Sequence, residues 1–134
     1  MEMDYYSERN REAWNEAVSV HRKNRKIYYC EVFKNKNYSA LDMTLLSLLK
    51  KIQLFGKTVA QLCCNNGHKL LSIVNTTGAS GVGFDISDEF ITEAKKIAKS
   101  AKFEYRFVRT DLYDLTAEHD HNFDLVLFAE GALI

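Results

Sequence analysis

The stretch that decides the fold is TVAQLCCNNG at positions 58–67, a short apolar run that ends in a polar turn. A run of this length bounded by turn residues is typical of a strand that is buried on both faces. Helical apolar spacing follows the turn as far as about Thr77, and Gly78 stands where a helix C-cap is expected. The stretch therefore predicts a strand, a tight loop and a helix, in that order.

The same alternation continues toward the C-terminus. We predict a second strand at Gly81–Asp85, a helix capped by Ser87 or Asp88, a third strand over roughly Glu104–Arg109 and a fourth at Phe123–Phe128. Strands that alternate with helices favour a parallel sheet, since each parallel crossover needs a long connection. The expected fold class is α/β, a three-layer sandwich with a mainly parallel sheet whose C-terminal strands are missing.

The residues before this core are predicted to be mostly helical. Ser7 can cap a first helix, and the aromatic segment at 27–33 is of uncertain type. A further helix has an apolar stripe that predicts its buried face, formed by Leu41, Leu45, Leu48, Leu49 and Ile52. We divide the chain into an N-terminal helical segment, residues 1–56, and an α/β core, residues 57–134.

Composition argues against several classes of function. The chain has 134 residues, of which 18 are Lys or Arg and 18 are Asp or Glu, so its formal net charge is +0. A neutral chain lacks the positive field that holds a nucleic-acid backbone, and no apolar run approaches the roughly 20 residues that span a bilayer. Three cysteines, two of them adjacent, disfavour a disulfide scaffold. We expect a cytoplasmic protein without a nucleic-acid or membrane partner.

The loop at Cys63–Gly67 is the expected ligand site, because ligands of open α/β sheets bind beyond the carboxyl ends of the strands. Its backbone N–H groups and the following helix N-terminus favour a carboxylate or a phosphate. Asp85 ends the second strand 18 residues after Gly67. That is close to the roughly 20-residue separation at which an acidic side chain accepts hydrogen bonds from ribose hydroxyls. Asp111 ends the third strand, where a carboxylate could accept a bond from an exocyclic amine.

The composition of the loop distinguishes a dinucleotide from a smaller nucleoside. A dinucleotide site needs G-x-G-x-x-G so that the pyrophosphate can approach bare backbone, whereas this loop has a single glycine, Gly67. S-adenosylmethionine has no pyrophosphate and makes a weaker demand for bare backbone. Asn tolerates positive φ better than most residues, so Asn65 or Asn66 can stand in for a glycine. The smaller ligand is favoured.

Four segments resemble, in order and spacing, the Rossmann-like S-adenosylmethionine-dependent methyltransferases. They are VAQLCCNNG at 59–67, GVGFDIS at 81–87, TDLYDL at 110–115 and FDLV at 123–126. Trp14, His21 and the pair Tyr28-Tyr29 are similar to the N-terminal segment of a bacterial subgroup that acts on small molecules. The resemblance covers about Trp14 to Gly131. Gln61 stands where the family usually has an acid, and Cys63 and Asn65 stand where it usually has glycines.

The resemblance implies transfer of a methyl group from S-adenosylmethionine to a small-molecule acceptor, with S-adenosylhomocysteine as product. It also implies that residues 1–56 act in part as a lid over the cofactor. The implied cofactor contacts are Cys63, Asn65 and Gly67 along the methionine part, Asp85 at the ribose, Ile86 on the adenine, Asp111 and Leu112 at the adenine amine, Phe128 beside the sulfonium, and Tyr29 and Phe33 from the lid. The family's role for each residue is an expectation, and no catalytic residue is assigned.

Other functions stay open. The degenerate loop and the missing strands motivate a second hypothesis, a non-catalytic or vestigial nucleoside-binding domain. A third, a nicotinamide-dependent oxidoreductase, is disfavoured by the lack of G-x-G-x-x-G. Cys63, Cys64 and His68, with His119 and His121, match no established zinc spacing, so no metal is expected. A homodimer also stays open, as does the identity of the methyl acceptor.

Overall fold

The structure is a computed structural model that describes residues 2–24, 28–104, 106–111 and 123–128. Five helices and four strands lie in these ranges. In chain order they are α1 (Glu2–Asn24), α2 (Tyr29–Val32), α3 (Met43–Ile52), β1 (Thr58–Leu62), α4 (His68–Thr77), β2 (Ser80–Asp85), α5 (Asp88–Ser100), β3 (Arg106–Arg109) and β4 (Leu125–Phe128).

The four strands form one parallel sheet in the order β3-β2-β1-β4. The chain steps outward from β1 through α4 to β2 and through α5 to β3, and then returns to the other side of β1 to form β4. The strand order therefore reverses between β1 and β4, which is the place where ligands bind in open α/β sheets. The predicted α/β class with a parallel sheet is confirmed.

Helices α4 and α5 cover one face of the sheet. Their buried apolar side chains form the main core with Val59 of β1 and Phe107 of β3. A smaller cluster on the opposite face contains Ala60, Val82 and Phe84. Both clusters include residues of β1, and the smaller one also includes residues of β2; the carboxyl ends of these two strands lead directly into the loops that follow.

Local signals explain where several helices begin and end. Ser87 caps α5 by accepting a bond from the N–H of Phe90 (3.2 Å), which selects Ser87 over Asp88. Gly78 closes α4 in left-handed backbone, and its N–H donates to the carbonyl of Val74 (3.3 Å). The expected cap at Ser7 is wrong, because α1 already begins at Glu2 and places Ser7 inside the helix.

The predicted buried face of α3 needs correction. Leu49 is 2% exposed, whereas Leu48 is 56% and Ile52 50% exposed. Leu46, which the predicted stripe omits, is partly buried against the main core instead. Helix α3 packs on α4, and a helix that packs on one neighbour buries a narrower strip than apolar spacing suggests.

The two adjacent leucines of α3 offer a direct check of this orientation. We expect Leu49→Ala to lower the free energy of unfolding by about 2–5 kcal/mol, because it leaves a cavity in the core. Leu48→Ala should change it by less than about 1 kcal/mol, since that side chain is largely in solvent already. Urea denaturation of both variants measures the difference, and equal losses would mean that the helix is turned differently.

Candidate functional site

The loop between β1 and α4 has left-handed backbone at every second residue. The φ angles are 54° at Cys63, 54° at Asn65 and 78° at Gly67. Asn65, not Asn66, therefore stands in for a glycine, which resolves the alternative that the sequence left open. Left-handed backbone costs an ordinary residue roughly 1–2 kcal/mol, so Cys63 is a strained position in this loop.

Hydrogen bonds within the protein hold the loop in shape. The backbone N–H groups of Cys64, Asn65, Gly67 and His68 all have protein acceptors, at 2.8–3.2 Å. The expectation that the loop N–H groups receive a phosphate or carboxylate is wrong for these four, because each already has a protein partner. A pyrophosphate would have to displace those bonds, so the loop fits a ligand that does not depend on them.

A phenylalanine that the sequence patterns did not single out closes the floor of the loop. A Cβ placed at Gly67 would lie 2.8 Å from the Phe107 ring, and one placed at Gly83 would lie 2.6 Å from it. The ring thus fills the space that both glycines leave, and it is buried. Gly67 is required here both by its φ and by this contact, because a side chain would meet a packed aromatic ring.

Asp85, the last residue of β2, joins the loop to the start of α5. Its Oδ2 accepts the N–H of Asn65 (2.8 Å) and its Oδ1 accepts the N–H of Ser87 (2.9 Å). The side chain is buried, and burial raises the pKa of its carboxyl above the ordinary value although these two bonds act in the opposite direction. Each carboxylate oxygen can accept more than one hydrogen bond, so both keep capacity for a ligand donor.

The Cys63 thiol lies in an electronegative environment. Burial, followed by the negative charges of Asp85 and Asp111, raises the pKa of this thiol. Burial also raises the pKa of the Cys64 thiol well above its ordinary value. Since the thiolate is the nucleophilic form, neither cysteine is suited to covalent catalysis at neutral pH. The charges of Asp85 and Asp111 thus both act at the position of Cys63.

The other core residues predicted to contact a cofactor lie at the same edge of the sheet. Asp111 follows β3 and is half-buried, and Ile86 is half-buried between Asp85 and Ser87. Phe128 ends β4 opposite Leu62 and is 55% exposed. Leu112 lies outside the described residues. The structure thus brings Asp111, Ile86 and Phe128 to the carboxyl ends of the strands around the Cys63–Gly67 loop.

The two lid residues differ in their placement. Tyr29 is half-buried, and its ring stacks on that of His68 with centroids 5.1 Å apart and planes 19° from parallel. His68 is the first residue of α4, and its Nδ1 is hydrogen-bonded to Asn66 Oδ1 in the loop. Tyr29 therefore contacts the helix directly next to the loop. Phe33, in contrast, is 2% exposed and packs edge-on against Tyr38 and Phe103. The predicted cofactor contact of Phe33 is not supported, because its ring is enclosed in the core.

One buried polar group of β1 lacks a hydrogen-bond partner among the described residues. Gln61 is 3% exposed, and its side-chain Oε1 is buried with no hydrogen-bond partner in the described part of the chain. A buried acceptor without a donor costs about 1–3 kcal/mol. Gln61 lies on β1 two residues before Cys63, the first left-handed residue of the loop.

Helix α1 docks on the first turn of α5, a contact that the sequence did not predict. Asn15 Oδ1 accepts the hydroxyl proton of Ser87 (2.5 Å), and Asn15 Nδ2 donates to Asp88 (3.1 Å). Arg11 pairs with the same Asp88 carboxylate at 2.6 Å. These two partners hold the pKa of the Asp88 carboxyl below its ordinary value. No sequence pattern signals the contact, since Asn15 and Ser87 are 72 residues apart.

A surface groove of about 610 Å³ lies at the opposite end of the sheet. Lys57, which precedes β1, and Thr76 and Thr77, which end α4, line it together with Phe55. Both threonine hydroxyls are bonded to carbonyls of α4, at 2.8 and 2.6 Å. The groove is therefore separate from the loop site, and its two hydroxyls already have acceptors.

Neither a metal centre nor a membrane span occurs in the described ranges. There, no group of three or more His, Cys, Asp or Glu side chains is arranged to hold a metal ion. None of the helices in those ranges has the length and apolar character needed to cross a bilayer.

The floor of the loop gives a prediction on stability. Gly67→Ala should lower the free energy of unfolding by about 1–2 kcal/mol from backbone strain and by a further 1–3 kcal/mol or so from overlap with Phe107. Gly56→Ala is the matched control, because Gly56 has a φ of 73° and a Cβ added there would meet nothing within 4 Å. Equal losses in urea denaturation would show that the Phe107 contact contributes nothing.

The raised pKa of Asp85 gives a prediction on pH dependence. The folded state binds the Asp85 proton more tightly than the unfolded state, so this group lowers stability as pH rises from the ordinary value of 3.8 through the raised one. The stability of Asp85→Asn relative to wild type should therefore increase over that interval. Asp88→Asn should show the opposite sign below that interval, losing stability relative to wild type as pH rises from the lowered pKa of Asp88 to the ordinary value of 3.8. Urea denaturation at a series of pH values measures both, and parallel curves for the two variants would contradict this assignment.

Comparisons with known proteins agree with this fold. The magnesium protoporphyrin IX methyltransferase of Synechocystis PCC 6803, solved with bound S-adenosylhomocysteine, superposes with a TM-score of 0.67 at 18% identity, over 93% of this chain and 58% of that one. An S-adenosylmethionine-dependent methyltransferase from Thiobacillus denitrificans, in complex with S-adenosylhomocysteine, superposes with a TM-score of 0.62 at 18% identity, over 87% of this chain and 44% of that one. A protein from Pyrococcus horikoshii OT3 is 34% identical over 62% of this chain and 38% of its own, with a TM-score of 0.54.

The chain is shorter than these structures and spans between 38% and 58% of their lengths. None of the curated proteins compared matches it. A family model described as "Methyltransferase domain" matches residues 59–133, which include all of β1 but its first residue, the left-handed loop and Asp85. Because this match covers more than half of the sequence and the parallel sheet is that of the class I methyltransferase fold, the chain belongs to the methyltransferase domain family.

Proposed function

We propose that this chain binds S-adenosylmethionine at the carboxyl ends of β1, β2 and β3 and serves in the transfer of its methyl group to a small-molecule acceptor. The observation that carries the proposal is the buried Asp85 carboxylate. It is fixed by two backbone N–H groups at the edge of the left-handed loop, at the end of the strand that neighbours β1. A fixed carboxylate in that position suits the two hydroxyls of a ribose.

The chemistry of the surrounding groups fits this cofactor. Asp85 and Asp111 both act on the Cys63 thiol, so the site is electronegative and suits the ammonium and sulfonium groups of S-adenosylmethionine. The buried Oε1 of Gln61 has no donor among the described residues, and it is the further acceptor that we assign to the cofactor. In contrast, four loop N–H groups are occupied by protein acceptors, which disfavours the pyrophosphate of a nicotinamide dinucleotide.

Each predicted site residue then has a proposed role. The backbone at Cys63, Asn65 and Gly67 borders the methionine part, and Asp85 accepts from the ribose. The remaining contacts are proposed for Ile86 on the adenine, Asp111 and Leu112 at the adenine amine, Phe128 beside the sulfonium, and Tyr29 as a lid residue. Phe33 is omitted because it is buried in the core. The segment 1–56 is proposed to contribute this lid.

The cofactor, when bound, supplies a methyl group activated on a sulfonium centre. The protein's own contribution is to bind and orient donor and acceptor and to keep water away from them. The neutral thiols of Cys63 and Cys64 support a role in packing rather than in covalent chemistry. A cytoplasmic setting belongs to the proposal as well, since all three cysteines are free thiols.

A non-catalytic nucleoside-binding domain is the second candidate. The observation that favours it is Gln61, an uncharged side chain at the position where the family usually has an acid. Such a domain would bind S-adenosylhomocysteine and S-adenosylmethionine without turnover. An assay of methyl transfer to candidate acceptors, which measures the S-adenosylhomocysteine released, distinguishes the enzyme from the non-catalytic domain.

Ligand binding tests the proposed cofactor. S-adenosylhomocysteine at a hundred times its dissociation constant should raise the free energy of unfolding by about 2.7 kcal/mol, whereas NAD should leave it unchanged. Asp85→Asn should weaken the binding of S-adenosylhomocysteine by about 1–3 kcal/mol, because buried ribose hydroxyls lose acceptor capacity. Thermal unfolding and titration calorimetry measure these effects.

Glu89→Gln is the matched control for Asp85→Asn. Glu89 is an exposed carboxylate on the first turn of α5, and its loss should leave affinity within about twofold of wild type. Stabilisation by NAD in place of S-adenosylhomocysteine would replace the proposed cofactor with a dinucleotide. Equal affinities of wild type and Asp85→Asn would remove Asp85 from the site.

A further inference from the structure

The N-terminal helix reaches the proposed cofactor site through one side chain. Asn15 of α1 bonds to the Ser87 hydroxyl at 2.5 Å, and the Ser87 N–H bonds to Asp85 Oδ1 at 2.9 Å. The other oxygen of Asp85 accepts the N–H of Asn65 at 2.8 Å. A continuous series of hydrogen bonds therefore connects α1 to the loop after β1 by way of the Asp85 carboxylate.

Ser87 occupies the central position in this series and has no exposed surface. Its hydroxyl has a single proton, which goes to Asn15, and the same oxygen accepts the N–H of Phe90 at 3.2 Å to cap α5. Asn15 Oδ1 also faces the N–H of Glu89 at 3.4 Å. Removing the Asn15 amide leaves a buried hydroxyl without its acceptor, so the turn from Asp85 to the first residues of α5 loses a fixed partner.

We propose that Asn15 is a positioning residue for cofactor binding, which orients the Asp85 carboxylate through Ser87 and makes α1 a functional part of the site. This inference rests on the proposed function, because it assigns Asp85 to the ribose. It gives Asn15 a role different from that of its neighbour Arg11, which bonds to the exposed carboxylates of Asp88 and Glu8.

The experiment compares three variants of the full chain by titration calorimetry. Two ligands are used, S-adenosylhomocysteine and its analogue that lacks the ribose 2′-hydroxyl. Asn15→Ala should weaken S-adenosylhomocysteine binding about fivefold, as expected for the loss of one positioning hydrogen bond, and should weaken the deoxy analogue less than twofold. The ratio of the affinity for S-adenosylhomocysteine to the affinity for the deoxy analogue should therefore fall. A general loss of stability would not change this ratio.

Two further variants separate an effect on the orientation of Asp85 from an effect on the stability of the fold. Arg11→Ala removes an exposed ion pair of the same helix–helix contact and should leave both affinities within twofold of wild type. Asn15→Asp keeps an oxygen that can accept from Ser87 but replaces the donor to Asp88 with a repelling charge. It should melt at a lower temperature than wild type and still keep its preference for the 2′-hydroxyl.

The outcomes distinguish the inference from the proposed function. If wild type binds S-adenosylhomocysteine and Asn15→Ala retains both its affinity and its 2′-hydroxyl preference, Asn15 has no positioning role. The same conclusion follows if the affinities of all three variants simply track their melting temperatures. If wild type does not bind S-adenosylhomocysteine at all, the proposed function falls and the inference falls with it.

Discussion

Asp85 is buried between two backbone segments, and each of its carboxylate oxygens accepts an N–H hydrogen bond from one of them. One segment is the loop after β1 and the other is the turn into α5. Burial disfavours the charged form of a carboxylate, and the raised pKa records that cost. Fixed N–H donors offset part of it and leave the group oriented toward the edge of the sheet. The geometry of the site depends on this interaction.

The loop after β1 adopts left-handed backbone at two residues that carry side chains, although glycine adopts this conformation at a lower cost. Cys63 and Asn65 adopt left-handed φ angles, and only Gly67 does so without a Cβ. The reason for that one glycine is steric as well as conformational, because the Phe107 ring fills the space beneath it. Cys63 and Asn65 therefore adopt the positive φ angles that a glycine would adopt at these two positions, at some cost in backbone strain.

The N-terminal helix is joined to the core where the site lies. Arg11 and Asn15 meet the first turn of α5, and Trp14 packs beside Phe90 with ring centroids 6.2 Å apart. A second contact from the same segment is the stack of Tyr29 on His68. Both contacts fall at the first turn of a helix that follows a loop at the carboxyl end of a strand, α5 in one case and α4 in the other.

The sequence by itself determined the α/β class and the position of Asp85 at the end of β2, and it predicted the loop after β1 as the ligand site, because period, turn residues and spacing are local properties of the chain. It determined the cap at Ser87 only as one of two candidates. Tertiary structure decided that Asn65 takes the left-handed position, that Phe33 and Leu49 are buried while Leu48 and Ile52 are exposed, that Phe107 packs beneath Gly67 and that Asn15 bonds to Ser87. These features depend on which residues distant in the chain meet in space, and apolar spacing within one segment carries no information about the partner against which it will pack.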